Sequence, residues 1–271
     1  MELTLLGVRG STAAPGESFV RYGGHTSCVA IAPAAGQSPT LVLDAGTGLR
    51  MLPPLLDGQP YQGSLLISHL HWDHVQGIPF FTSGDREGSR VDVHVPAQDG
   101  RSGSDLVGLA MSPPSFPITP DGLLGEWSFR AVEEGDLTVE GFRVTAAEVK
   151  HKGGRTFGYR VEREGRSVAY LPDHVAREGL TPAAADVVRG VDVLLHDAQF
   201  LEPERRLADA YGHSTVDDAI ALAQAHDVSR LVLFHHSPVR TDDQLDAIAA
   251  DVASAALPVV VAREGDRLQL G

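Results

Sequence analysis

Apolar and polar positions along the chain fall into short β-type runs separated by turn residues. Strands are predicted over residues 2–8, 28–32, 40–43, 64–68, 91–95, 127–132, 137–149, 156–161, 167–170, 191–195, 231–234 and 259–262. Val91-Asp92-Val93-His94-Val95 alternates as a half-buried strand should. Leu65, Leu66 and Ile67 are apolar without interruption, and the run 191–195 is apolar apart from Asp192, which suits strands covered on both faces. Helical signals are fewer and late. Ser214-Thr215-Val216-Asp217-Asp218 resembles a capping box that opens an Ala/Leu-rich helix to about His226. A second helix is predicted from Asp242 or Asp243 to about Ala255, with acids in its first turn, and a short one over 182–188 with proline at its start. Residues 96–125 are rich in Gly, Ser and Pro and read as a long loop or lid inserted into one domain spanning 1–271. The pattern predicts an α/β fold in which two packed sheets carry helices on their outer faces.

Composition narrows the class. At 42% hydrophobic and 21% charged residues the chain can bury a core. No apolar run reaches the roughly 18 residues a membrane span requires, and the N-terminus reads as a strand rather than a signal peptide. One cysteine, Cys28, excludes an internal disulfide framework and a multi-cysteine zinc site, so a reducing cytoplasm is the expected compartment. The net charge of −14 disfavours broad nucleic-acid binding without excluding a local basic groove.

Twelve histidines are many for 271 residues, and their placement carries the chemistry. His69-Leu70-His71-Trp72-Asp73-His74 directly follows an apolar strand. Positions i and i+2 of an extended segment point the same way, so His69 and His71 can converge on one metal ion. Asp73 and His74 come as the chain turns and can reach a second ion. Imidazole and carboxylate with open positions form the donor set of catalytic zinc, and manganese or iron accept the same donors. Trp72 reads as a packing residue.

This motif resembles the signature of the metallo-β-lactamase superfamily, and the likeness continues in order over residues 1–240. Leu43-Asp44-Ala45-Gly46-Thr47-Gly48 looks like that family's strand-then-turn, with Asp44 placed to orient a ligand histidine. The resemblance implies the αββα fold of two mixed sheets flanked by helices. It implies two divalent cations, with His69, His71 and His151 on one, Asp73, His74 and His235 on the other, and Asp173 bridging. His236 competes with His235, but neighbours on a strand face opposite ways, and the following serine and proline favour His235. An aspartate rather than a cysteine at 173 resembles the RNA-processing and phosphodiesterase branches more than true β-lactamases. His196-Asp197 and Gly212-His213-Ser214-Thr215 resemble paired segments of RNase Z-like enzymes, in which His213, oriented by Asp197, protonates a leaving alkoxide or steadies phosphoryl charge. Asp73, His213 and Asp197 are thus the implied catalytic residues.

Two departures bear on the substrate. Asp173 follows His151 by only 22 positions, which leaves no room for the clamping arm of transfer-RNA-processing RNase Z. One cysteine cannot supply the structural zinc site of the phosphonate-pathway cyclic phosphodiesterase. The opening Gly7-Val8-Arg9-Gly10-Ser11 with Arg21 through Cys28 looks most like bacterial hydrolases assigned to cyclic-nucleotide phosphodiesterase activity. The expected function is therefore hydrolysis of a small phosphodiester such as a cyclic nucleotide, by water activated between two cations. An RNase Z-like nuclease and a lactone or thioester hydrolase are the alternatives. Relatives of this kind imply a homodimer.

Overall fold

Runs that are apolar on both faces need cover on both faces, and the observed layers supply it. The computed structural model describes residues 1–271. Its strands are β1 (Glu2–Gly7), β2 (Cys28–Ala32), β3 (Leu41–Leu43), β4 (Gln62–Leu66), β5 (Arg90–Pro96), β6 (Glu126–Val132), β7 (Gly135–Val139), β8 (Phe142–Val149), β9 (Thr156–Arg163), β10 (Arg166–Leu171), β11 (Val193–Asp197), β12 (Leu231–Phe234), β13 (Val259–Val261) and β14 (Arg267–Gln269). The helices are α1 (Trp72–Val75), α2 (Gly103–Gly108), α3 (Pro182–Val188), α4 (Arg205–Tyr211), α5 (Val216–Ala225) and α6 (Asp242–Val252).

The strands form two seven-stranded mixed sheets, ordered β14-β1-β2-β3-β4-β5-β6 and β13-β12-β11-β10-β9-β8-β7. Leu3, Leu5, Ile31 and Leu66 of the first meet Phe142, Val161, Leu195 and Phe234 of the second in the central core. Alternation sends the next residues outward. Leu194 and Leu233 pack under Val187 of α3, Leu222 of α5 and Ile248 of α6. Leu65 and Ile67 pack with Leu49, Leu52 and Leu106 on the opposite outer face. No helix is long and apolar enough to cross a membrane.

Three features differ from the pattern-based expectation. The run 137–149 is not one strand but β7 and β8, because Glu140 and Gly141 both take positive φ (50° and 77°) and close a two-residue hairpin. Glu164 and Gly165 repeat the device between β9 and β10, so a minimal turn occupies the space between His151 and Asp173. The segment 96–125 contains α2, capped by Ser102, and buries Leu106, Val107, Met111 and Leu123 against the first sheet. It is anchored by packing rather than structureless. Helix α4 and edge strand β14, short and without a strong period, carried no signal in the sequence.

Topology places the chemistry. Strands β3 to β6 are mutually parallel, as are β10 to β13, and β8 runs with β10 because both are antiparallel to β9. Ligand sites of such sheets lie beyond the carboxyl ends of parallel strands. Asp44, His69, His151, Asp173 and His235 all lie just past such ends, and Asp197 closes β11. Several bonds tie the sheets together beside this rim, among them that of the buried Tyr159 hydroxyl on β9, which donates to the Ile67 carbonyl, 2.8 Å away, two residues before His69. Tyr159→Phe should lower the unfolding free energy by about 1–2 kcal/mol. Urea denaturation measures this, and an unchanged midpoint would show the bond to be dispensable.

Candidate metal centre

The six-residue motif begins where β4 ends, and Asp44 fixes that corner. Asp44 itself has a positive φ of 58°, just past β3. Its Oδ1 accepts the Ser68 backbone N–H at 2.6 Å. Its Oδ2 accepts from the Ser68 hydroxyl at 2.8 Å, the Tyr170 hydroxyl at 2.8 Å and His74 Nδ1–H at 2.6 Å. Because the Ser68 hydroxyl is spent on Asp44, its oxygen accepts from His69 Nδ1–H at 3.1 Å. His69 and His74 therefore both turn Nε2 inward.

Around those nitrogens the structure gathers two main groups. His69, His71, His151 and Asp173 form one, and Asp73, His74 and His235 the other; Asp173 and His235 also come together with His213 in a third, overlapping group. In the first, His71 Nδ1 lies 2.8 Å from His69 Nε2 and 3.3 Å from His151 Nε2. His151 donates its Nδ1–H to the Gly212 carbonyl at 2.7 Å, which leaves Nε2 as a lone-pair donor. Gly153, at φ +90°, is required beside it, since a Cβ there would sit 2.6 Å from the His71 ring. In the second, Asp73 Oδ2 lies 3.2 Å from His74 Nε2 and 3.1 Å from His235 Nε2. Asp173 joins the two. Its Oδ2 faces His69 and His151 at 3.5 and 3.3 Å, and its Oδ1 faces His74 and His235 at 3.3 and 2.9 Å.

This donor set fits divalent cations on an observation of its own. His74 Nε2 and Asp173 Oδ1 are fully buried, 3.3 Å apart, and neither has a hydrogen-bond partner. Buried polar atoms are rarely left so. The electrostatics point the same way. Burial opposes charge on His74, yet Asp73, Asp173 and Asp44 outweigh it and hold the ring's proton well above the imidazole range. Burial likewise opposes charge on His235, but Asp173 and Asp73 push it up to about 10. Burial works to raise Asp73 and Asp173, and the surrounding histidines overcome it and hold both far below the usual carboxylate range. His69, His71 and His151 are shifted down, burial being the first cause, and stay neutral. The site is a buried anionic pocket that demands positive charge.

The neighbouring histidines separate cleanly. His235 and His236 do face apart: His236 donates Nε2–H to the Ala262 carbonyl at 2.9 Å, and burial drops it to about 3. His235 has a positive φ of 59°, and a Cβ at Gly10 would overlap its ring. His213 Nδ1–H donates to Asp197 Oδ2 at 2.8 Å, and its ring stacks on His235 with centroids 5.3 Å apart. Asp197 also accepts the backbone N–H groups of His174, Gln199 and Ser214, so its carboxylate is rigidly placed. His174 and His196 pair with each other at 3.0 Å outside the cluster. Reading the sequence missed Ser68 and Tyr170 on Asp44, the Gly212 carbonyl on His151, and the Ser11 N–H, 2.6 Å from Asp73 Oδ2. Of these, only Ser11 and Gly212 fall in segments that the sequence singles out by resemblance, and neither is assigned a role there.

The sequence profile of the β-lactamase superfamily domain matches residues 40–236, from just before Asp44 through both candidate ligand groups. The chain belongs to this superfamily. A ribonuclease Z of Bradyrhizobium diazoefficiens is 25% identical to it over 78% of this chain and 81% of its own. Among solved structures, the short form of human tRNase Z superposes with a TM-score of 0.70 at 20% identity, covering 100% of both chains. A diphosphatase of the PhnP family superposes with a TM-score of 0.70 at 18% identity, covering 100% of this chain and 98% of its own. At those identities the structures establish the shared superfamily fold, and the relatives' substrates remain their own.

Two outcomes are expected. Asp44→Asn weakens the hydrogen bond that orients His74 and should lower divalent-metal affinity about 10–100-fold in a chelator competition; equal affinity would remove Asp44 from the design. At pH 7 the cation-free protein holds protons on His74 and His235, both shifted above neutrality. Cation binding must expel them, so loading should release protons and affinity should fall as pH falls. A pH-indicator titration in weak buffer reads this, and no proton release would contradict it.

Proposed function

We propose that this superfamily hydrolase is a dinuclear metal-dependent phosphodiesterase of the RNase Z kind, with an RNA phosphodiester as substrate. The observation that carries the reading is Asp173, whose two oxygens face two donor groups while His213, bonded to the buried Asp197, lines the same cavity. His69, His71, His151 and Asp173 would hold one cation, Asp73, His74, His235 and Asp173 the other, and the borderline donor set favours zinc, with manganese and iron as the alternatives. Bound there, two cations supply Lewis acidity toward phosphoryl oxygens and an activated water.

The chain's own residues do the rest. The cavity, about 760 Å³, is lined by His71, Asp73, His151, Asp173 and His213, so a phosphodiester entering it reaches both groups at once. His213 spends Nδ1–H on Asp197, which fixes the tautomer and leaves Nε2 for the substrate. Protonated at Nε2 as well, it gives the Nε2 proton to the departing alkoxide; Asp197 orients it and does not itself react. Asp73 is held by the Ser11 N–H at 2.6 Å, which keeps its carboxylate turned toward His74 and His235.

The sequence by itself ranks small diesters above RNA, and the ribonuclease Z relatives reverse that order. A second reading, a small diester such as a cyclic nucleotide, keeps one supporting observation: the β9–β10 connection is a two-residue turn and offers no arm for a folded RNA.

Metal-loaded protein should release nitrophenol from bis(p-nitrophenyl) phosphate and cut a labelled RNA with a 3′ extension. His213→Ala should lower kcat by about 10²–10⁴ with metal content unchanged. Cleavage of cyclic nucleotides with RNA left intact would favour the second reading. Hydrolysis of lactones or thioesters with both diesters inert would sink the proposal.

A further inference from the structure

Trp72 is expected from its sequence context to pack, and it does not. It stands between His71 and Asp73, one from each donor group, and is 74% exposed. The other tryptophan shows what a structural indole looks like here. Trp127 is half-buried, donates Nε1–H to the Leu124 carbonyl at 2.8 Å and stacks on Phe129 with an interplanar angle of 12°. A second large ring, Tyr211, is 61% exposed at the end of α4. The residues on either side of it are held by His151 and its neighbour: Lys152 Nζ–H donates to the Ala210 carbonyl, and the Gly212 carbonyl receives His151 Nδ1–H.

These rings flank the reaction centre in order. The imidazoles of His71, His151 and His213 form a row with successive centroids 5.0 Å apart. Trp72 adjoins the His71 end in the chain, and Tyr211 lies two residues before His213. Both line the cavity of about 760 Å³, ample for a nucleotide. No lysine or arginine lines it, so nothing there recognises further phosphates along a backbone. Beside the donor groups the cavity presents the rings of Trp72, Phe200 and Tyr211 among small polar and aliphatic side chains such as Ser11, Gln199 and Leu70.

Resting on the phosphodiesterase reading, we propose that Trp72, with Tyr211, forms a stacking platform for a nucleobase attached to the scissile phosphate, so that the enzyme selects nucleoside phosphodiesters over diesters without a base. Base–aromatic stacking tolerates any base, because every base has a π-face. It also accounts for a bare indole held at a fixed position by its ligand neighbours on both sides.

The test uses two substrates with one leaving group, thymidine 5′-(p-nitrophenyl) phosphate and methyl p-nitrophenyl phosphate, on the full metal-loaded chain. Trp72→Ala should raise KM for the thymidine ester about 10- to 100-fold more than for the methyl ester, and Trp72→Phe should recover most of the loss. An equal change for both esters would overturn the platform and leave the phosphodiesterase intact. If neither ester is cleaved, the phosphodiesterase reading fails, and binding decides the platform separately. In a Trp127→Phe chain, where Trp72 is the sole indole, AMP should quench fluorescence saturably and ribose 5-phosphate should not. Absence of quenching by AMP would overturn it.

Discussion

Four carboxylates, those of Asp44, Asp73, Asp173 and Asp197, are buried where the two sheets meet at one rim. An isolated buried carboxylate is costly enough that the surroundings must supply compensation. Asp197 is satisfied by three backbone N–H groups and His213. Asp44 is satisfied by Ser68, Tyr170 and His74. Asp73 and Asp173 are left facing imidazoles, which in the absence of any cation must carry protons to neutralise them. The same arrangement explains why His74 and His235, each facing both Asp73 and Asp173, are shifted upward, while burial and neighbouring imidazoles keep His69, His71 and His151 neutral. Proton and cation are alternative occupants of one electrostatic demand.

Meeting that demand depends on the sheets. Each segment that carries candidate ligands begins just past a strand, and strands with their carboxyl ends on one side bring residues from 44 to 235 to a single rim. The central core, from Leu3 to Phe234, fixes the separation of the two sheets. Tyr159 and Tyr170 reach across from the second sheet to Ile67 and Asp44 of the first. Packing and site geometry are therefore one problem. A shift of one sheet would part Asp173 from His74, and with it the link between the two donor groups.

Function and substrate preference divide along the same lines. The floor of the cavity is polar and buried and bears on reaction type, whereas its rim bears the exposed rings of Trp72 and Tyr211. Relatives named ribonuclease Z match the sequence, and the connection between β9 and β10 in this chain is a two-residue turn. A rim that grips the base next to the cleaved bond is compatible with both observations.

The sequence alone specified much of this. Apolar runs and alternation marked most strands, because period and burial are local properties. His69, His71, Asp73 and His74 were legible because a metal motif within six residues needs no tertiary information. His151, Asp173, His235, His213 and Asp197 were legible only through family resemblance, since a lone histidine or aspartate has no distinguishing local pattern. The tertiary structure decided the rest: that Asp173 faces both groups, that His236 turns away to Ala262, and that Trp72 is bare. It also split 137–149 at Glu140 and Gly141, where two positive φ angles, invisible to a count of apolar residues, reverse the chain. Hydrophobic period fixes which face of an element is buried, but the partner across a site is set by how distant strands pack, and that information resides in no local stretch of the chain.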